Sequence, residues 1–152
     1  MIISVDFDGT CVTHDFSNTG KDIGAEIVLK SLVDAGHKII CVSMRSKEQS
    51  ITMNVDTING ISEWFKNNNI DLYAINDNPS QEAWSKSRKI YANIYIDDQF
   101  LGCPLQYNKE YSERVFVDWY IVTKILVKSG FLTEENGDII LKELKEKYPE
   151  LY

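Results

Sequence analysis

The sequence predicts an α/β protein with a Rossmann-like, three-layer fold: a central, mostly parallel sheet with helices on both faces. Short apolar runs rich in β-branched residues alternate with longer segments whose apolar residues recur at helical spacing. Each strand–helix–strand unit is expected to form a right-handed crossover, which makes neighbouring strands parallel. The length of 152 residues fits a single domain, 1–152, that can bury a core.

These patterns place the elements along the chain. Strands are predicted at Ile2–Val5, Ile39–Val42, Leu72–Ile75 and Ile94–Ile96. Helices are predicted at about Ala25–Ala35, from Asp56 to near Asn67, at about Ser112–Ser129, and in a last segment that Thr133 caps and that continues through Ile140, Leu144 and Tyr148. A long loop is expected at 11–24, a short polar or helical piece at 80–88, and a turn or edge segment at 101–105, whereas 46–55 is ambiguous.

Charge and cysteine content limit the possible classes of protein. The net charge of −7 argues against nucleic-acid or anionic-membrane binding through bulk charge. No apolar run approaches the length of a membrane span, and a strand pattern begins directly after Met1, so we expect neither a membrane segment nor a signal peptide. The three cysteines, Cys11, Cys41 and Cys103, are odd in number and have no C-x-x-C spacing, so they indicate neither a zinc site nor a disulfide framework. We therefore expect reduced thiols, as in a cytoplasmic protein.

The most informative stretch is Asp6–Thr10, which directly follows the first strand. Because side chains alternate along a strand, Asp6 and Asp8 are expected to project together where it ends. Two carboxylates this close repel each other unless a cation lies between them or one is protonated. Gly9 permits a sharp turn and a close approach of the backbone to a ligand. The stretch therefore predicts a Mg²⁺ and phosphate site at the carboxyl edge of the sheet, where open α/β folds bind ligands.

Further polar residues flank the other predicted strands. Ser43 follows the second strand, and Asp97 and Asp98 follow the fourth. Lys86 and Lys89 precede the fourth strand. Carboxylates suit a divalent cation and a lysine suits phosphate, so these residues are candidates for the same site.

The order of these residues is similar to that of the haloacid dehalogenase (HAD) superfamily. Asp6–Thr10 resembles the first family motif, D-x-D-G-T, and a Ser after an apolar strand, a Lys and an acidic pair follow in the family's order. The resemblance covers roughly residues 1–102 and leaves the predicted C-terminal helices at 112–148 unassigned. Most members are Mg²⁺-dependent phosphatases and phosphotransferases, so the resemblance implies a HAD-like fold and a phosphomonoester hydrolase.

The resemblance also implies roles for the acidic residues. Asp6 is expected to attack phosphorus and form an aspartyl phosphate. Asp8 is expected to protonate the leaving oxygen and then deprotonate the hydrolytic water. Asp6, Asp97 and the backbone carbonyl of Asp8 are the expected Mg²⁺ ligands. Asp98 is expected to bind the ion through water or to orient a ligand.

The remaining motif residues are expected to bind the substrate. Ser43 would donate a hydrogen bond to a phosphoryl oxygen, and Gly9 and Thr10 would lie against the substrate. A lysine would neutralise phosphate charge. Lys89 is preferred over Lys86 for this role because it lies closer to the fourth strand, and the other lysine would be a surface charge.

Some polar residues near the motifs have two interpretations. Arg45 follows Ser43 by two positions and either grips a phosphate or is a surface arginine. His14 either contacts substrate or is a solvated loop histidine, which is the preferred interpretation. Asn76 and Asp77 are expected to have a turn role alone.

A cap domain, which many family members carry, has no room here. A loop, a helix and a strand fill the interval from Asp8 to Ser43, and a helix, a strand and connections fill the interval from Ser43 to Lys89. The resemblance is therefore to the small, capless members of the superfamily. An open site suits a large or exposed phosphate substrate, or a partner subunit that serves as a lid. The expected ligand is a small or exposed phosphate ester, and the oligomeric state stays open.

Two other classes of protein compete with the phosphatase interpretation. A receiver-type signalling module also combines an α/β sheet with an acidic cluster, but its acidic residues are adjacent after the first strand, whereas this chain has D-x-D there. A catalytically idle module that binds metal or a protein partner is the other alternative. The intact set of Asp6, Asp8, Ser43, a lysine and Asp97 argues against it. The substrate stays open among sugar, nucleotide and polynucleotide-end phosphates.

Overall fold

The computed structural model describes residues 1–15, 18–46 and 57–152, and a four-stranded parallel sheet lies at its centre. Its strands are β1 (Ile2–Val5), β2 (Lys38–Cys41), β3 (Leu72–Ile75) and β4 (Ile94–Ile96), in the order β3-β2-β1-β4. All three neighbouring pairs are parallel. The sheet is flanked by helices, so the predicted Rossmann-like α/β fold class is confirmed.

Beyond their first residues, the inner strands β1 and β2 are buried, because their sequences are almost continuously apolar, as is usual for parallel sheets covered on both faces. Ile3 and Val5 of β1 are 0% exposed, and so are Ile39 and Ile40 of β2. Val5 is paired in register with the last residues of both β2 and β4. The carboxyl ends of these three strands therefore meet at one level of the sheet edge.

The helices are α1 (Ala25–Asp34), α2 (Ile58–Asn67), α3 (Trp119–Lys128) and α4 (Glu134–Lys147). The bounds of α1 and the Thr133 cap of α4 agree with the sequence prediction, and the Thr133 hydroxyl accepts a hydrogen bond from Asn136 N. The start expected at Asp56 for the second helix lies outside the described residues, as do all but the first residue of the ambiguous stretch 46–55.

The predicted helix at Ser112–Ser129 is wrong in its first third. A short antiparallel pair, β5 (Leu105–Gln106) and β6 (Phe116–Val117), occupies this region, and Asp118 caps α3. The reason is that Val117 N donates to Gly9 O at 2.9 Å, which holds the backbone extended against the loop after β1. The 80–88 connection forms turns and no helix among its described residues.

The C-terminal helices pack against α1. Glu26 of α1 is 5% exposed, and one of its carboxylate oxygens accepts hydrogen bonds from Lys147 at 3.0 Å and Tyr148 at 2.5 Å. Cys11 and Cys41 are buried free thiols, and burial raises their pKa values well above the ordinary range. Within the described ranges, no helix has both the length and the apolar character needed to cross a bilayer.

Candidate active site

The sheet order brings the two acidic strand ends together. From β1 the chain proceeds through β2 to β3 on one side, and β4 then returns to the other side of β1. Ligands of open α/β sheets bind at such a reversal of strand order, beyond the carboxyl ends of the strands. Asp6 follows β1, Asp97 and Asp98 follow β4, and Asp6 N donates to Ile96 O at 3.0 Å.

Asp6, Asp97 and Asp98 form a group that we call the acidic triad. Each offers a carboxylate oxygen, and these oxygens lie within 4.8 Å of one another. The pKa of Asp6 is raised to about 7. Burial is the largest cause, the charges of Asp97 and Asp98 act in the same direction, and the Phe7 backbone N–H opposes the rise. Burial also raises the pKa of Asp98. The triad is therefore a site where a cation or a proton is needed to offset like charges.

Gly9 and Thr10 pack against Asp98, one member of the triad. The φ angle of Gly9 is +88°, and a Cβ there would lie 2.3 Å from His14 Nε2 and 2.9 Å from Asp98 Cγ. Thr10 is 0% exposed, and its hydroxyl accepts a hydrogen bond from Asp98 N at 3.1 Å. The geometry gives both residues a packing role and lends no support to the substrate contact predicted for Thr10.

His14 is not the solvated loop histidine that the sequence favoured, so that prediction is wrong. Its side chain is 6% exposed, and Nε2 lies 3.2 Å from Asp98 Oδ2. The absence of a side chain at Gly9 creates the space that the imidazole occupies. His14 therefore orients Asp98, a role that no local sequence pattern signals.

Asp8 does not project together with Asp6, which corrects the expectation from strand alternation. The strand ends at Val5, and the chain then turns so that Thr10 N and Cys11 N both donate to Phe7 O. The Asp8 carboxylate is buried beside Arg45: Arg45 Nε lies 2.7 Å from Oδ2 and Nη2 lies 2.6 Å from Oδ1. The acidic triad is thus assembled without the Asp8 side chain.

Arg45 is not a surface arginine, since its side chain is 3% exposed. Besides pairing with Asp8, its Nη2 donates to the backbone oxygens of Asp15 and Asn18 at 2.8 and 2.7 Å. Its guanidinium also lies 4.9 Å from the centroid of the Phe7 ring. The guanidinium therefore holds the loop after β1, and the substrate grip predicted for Arg45 has no support in this arrangement.

Asn76 positions the backbone that carries Ser43. Its side-chain oxygen accepts from Ser43 N at 2.8 Å, and its amide donates to Ser43 O at 2.9 Å. Asn76 has a φ of +52°, a conformation that asparagine tolerates. The turn role alone that was expected for Asn76 is therefore too narrow. Ser43 is half-buried, its Oγ accepts from Arg45 N at 3.2 Å, and its phosphate contact stays a prediction.

The structure separates the two candidate lysines. A cavity of about 290 Å³ is lined by Asp6, Asp97 and Lys89, whereas Lys86 lines a neighbouring cavity. Lys89 is therefore the lysine whose position suits phosphate binding. Arg88 also lines the first cavity, and sequence reasoning missed it, although a cation directly before Lys89 was a visible signal.

Comparison with known proteins bears on the fold. No family model and no curated protein matches the chain. A solved structure of a conserved protein from Bacteroides thetaiotaomicron is similar, with a TM-score of 0.62 and 28% sequence identity, over 90% of this chain and 95% of the other. The likeness supports the α/β fold and carries no information about activity.

Proposed function

We propose that the protein is a Mg²⁺-dependent phosphomonoester hydrolase of the HAD type. The observation that supports this proposal best is the acidic triad at the reversal of strand order, because two of its members, Asp6 and Asp97, line a cavity together with Lys89. Clustered carboxylates beside a cationic side chain suit a metal ion together with an anionic substrate. The order of Asp6, Ser43, Lys89 and Asp97 along the chain adds the resemblance to the HAD superfamily.

The donor set fits magnesium, because Mg²⁺ prefers oxygen ligands and is commonly bound by one or two carboxylates together with substrate phosphate. Asp6, Asp97 and Asp98 would hold the ion, with the Asp8 carbonyl as the resemblance implies. Bound there, the ion would offset the negative charge of the carboxylates and of the phosphate.

Asp6 is the nucleophile in this proposal. Its carboxylate attacks phosphorus, the ester oxygen departs, and water then hydrolyses the aspartyl phosphate to release inorganic phosphate. Lys89 binds phosphoryl oxygens through its ammonium group. The proton transfer expected of Asp8 requires its carboxylate to leave Arg45, since both carboxylate oxygens accept hydrogen bonds from the guanidinium.

The sheet order disfavours the receiver-type alternative. In receiver domains the second strand lies at the edge and the third lies on the other side of the first. Here β2 lies between β1 and β3. An idle metal-binding module shares the fold and the triad, so a turnover measurement must separate it from the hydrolase.

The test compares Asp6→Asn with Asp71→Asn. Wild-type protein is expected to release phosphate from an activated aryl phosphate in Mg²⁺ and not in a chelator, and rapid quench should trap acid-stable phosphoryl label on the protein. Asp6→Asn should lose both turnover and label, because an amide is a poor nucleophile. Asp71 is exposed at the amino end of β3, so Asp71→Asn should retain both. Label on Asp6→Asn, or wild-type protein that is inactive on every phosphate monoester tried, would overturn the proposal.

A further inference from the structure

The cavity that Asp6 lines has aromatic side chains in its wall as well as charged ones. Tyr95 and Phe100 line it together with Arg88 and Lys89. The two ring centroids are 6.2 Å apart, and Lys89 Nζ lies 5.7 Å from the centroid of Tyr95. Phe100 is 50% exposed, so much of its ring is open to solvent.

The two kinds of wall suit different parts of one ligand. The cations Arg88 and Lys89 suit phosphate, and an arginine can also grip it in a bidentate manner. A phosphate group does not stack on an exposed aromatic ring, whereas a flat nucleobase does. The volume of about 290 Å³ is near the lower end of the range for small-molecule sites, so the ligand is small.

We infer that the substrate is a nucleoside phosphate, with its base stacked against Phe100 and its phosphate between Lys89 and Asp6. This inference rests on the proposed function for the identity of the reacting group. It narrows the open set of substrates to those that carry a flat base, which a sugar phosphate lacks.

A second cavity, of about 350 Å³, adjoins the first, and Arg88 lines both. An exposed aromatic pair, Trp84 and Tyr91, is adjacent in sequence to its lining residues Ser85 and Ile90 and packs edge to face with centroids 5.4 Å apart. These rings are 62% and 44% exposed. A nucleoside phosphate can therefore come from two sources: a free nucleotide, or the end of a single strand whose next base reaches Trp84.

The second cavity is less suited to anions than the first. Lys86 lines it, but Asp77 and Glu82 line it as well and partly balance its positive charge. The inference therefore places the recognised base in the first cavity, and the strand end is tested as a separate source.

The first experiment compares two substrates that differ only in the base. Initial rates in Mg²⁺ should give a kcat/KM for adenosine 5′-monophosphate about 5- to 150-fold above that for ribose 5-phosphate, the range that stacking on one aromatic ring supplies. Phe100→Ala should bring this ratio close to one, and Phe100→Tyr should preserve it. Leu101→Ala is the matched control, because Leu101 is adjacent, fully exposed and outside the first cavity. Equal kcat/KM values for the two substrates in the wild type would overturn the inference.

The second experiment distinguishes the two sources. A short single-stranded oligonucleotide with a terminal phosphate is compared with the mononucleotide in wild type and in Trp84→Ala. If strand ends are the source, the oligonucleotide is preferred and Trp84→Ala removes that preference without changing the mononucleotide rate. If free nucleotides are the source, the mononucleotide is preferred and Trp84→Ala changes neither rate.

A binding measurement separates failure of this inference from failure of the proposed function. If the wild type hydrolyses the activated aryl phosphate but not adenosine 5′-monophosphate, the inference fails and the proposed function stands. If it hydrolyses none of these esters, the phosphatase proposal fails, and calorimetric titration with adenosine 5′-monophosphate and ribose 5-phosphate still tests recognition of the base. Tighter binding of adenosine 5′-monophosphate, abolished by Phe100→Ala, supports the inference. Equal affinities overturn it.

Discussion

The ion pair between Asp8 and Arg45 is the residue-level feature that departs most from the sequence prediction. Both side chains are nearly inaccessible, with exposures of 4% and 3%. Burying two charges is costly, and the cost is offset here because the guanidinium makes two hydrogen bonds to Asp8 and others to backbone oxygens. Removing one partner would leave the other charge buried and uncompensated.

Arg45→Met is therefore expected to lower the free energy of unfolding by about 3–5 kcal/mol, the usual range for breaking a buried ion pair. Urea unfolding followed by circular dichroism measures it. The matched control is Lys30→Met, which breaks the exposed pair of Lys30 with Asp34 and should cost no more than about 1 kcal/mol. The double variant Asp8→Asn/Arg45→Met should lose less than the sum of its single variants. Additive losses would show that the two side chains do not act as a pair.

Residue-scale prediction from sequence succeeded where the signal was local. Asp6, Asp97 and Asp98 directly follow apolar strands, and parallel strands necessarily end at one edge. The positions of His14, Arg45 and Asn76 depend on partners far along the chain, and Arg45 meets a carboxylate 37 residues away. No spacing rule encodes such a contact, because it depends on how loops fold back on the completed sheet.

At the scale of elements, apolar periodicity located helices better than it located their ends. The spacing of Val115, Trp119, Val122 and Leu126 is helical, yet α3 begins at Trp119. Periodicity marks the buried face of a helix, whereas the start depends on a capping side chain. Asp118 supplies that cap by accepting a hydrogen bond from Ile121 N at 3.0 Å.

The sign of one substitution tests this helix start. Asp118→Ala should lower the free energy of unfolding by about 0.5–2 kcal/mol, because it removes the cap. If the helix began near Ser112, Asp118 would lie inside it, and alanine would be stabilising because its helix propensity is higher. Thr133→Ala, at the cap of α4, is the positive control and should cost a similar amount. Denaturant unfolding of both variants gives the comparison.

At the scale of the whole molecule, the fold class was predictable because every strand–helix–strand unit independently indicates a parallel α/β sheet. The β5–β6 pair was not, since its strands have two residues each and too few positions to show a period. The packing of α4 on α1 was not predictable from the sequence either. Glu26 is a charged residue in the first turn of α1, where exposure is the ordinary expectation. Its burial is explained only by its hydrogen-bond partners Lys147 and Tyr148.

The acidic triad should make the stability of the fold depend on divalent cations. The reason is that three carboxylates held by two strand ends repel one another in the folded chain. A divalent cation that binds only the folded state stabilises it by about 2.7 kcal/mol at one hundred times its dissociation constant. For a chain of this size that corresponds to a rise in Tm of about 5–10 °C. Thermal melts with added Mg²⁺ measure this rise. Calcium should give a rise of its own while supporting little turnover, because it does not impose the near-octahedral geometry of magnesium.

Asp97→Asn is the decisive variant for this linkage, with Asp71→Asn as its control. Asp97→Asn should lose most of the Mg²⁺-dependent rise, and Asp71→Asn should keep it. In a chelator, Asp97→Asn should melt at or above the wild-type temperature, because the Asp97 charge opposes ionisation of Asp6 and its removal relieves that repulsion. The triad would be excluded as the cation site by either of two results. One is a wild-type Tm that changes with neither Mg²⁺ nor Ca²⁺, and the other is an Asp97→Asn variant that shows the full wild-type rise.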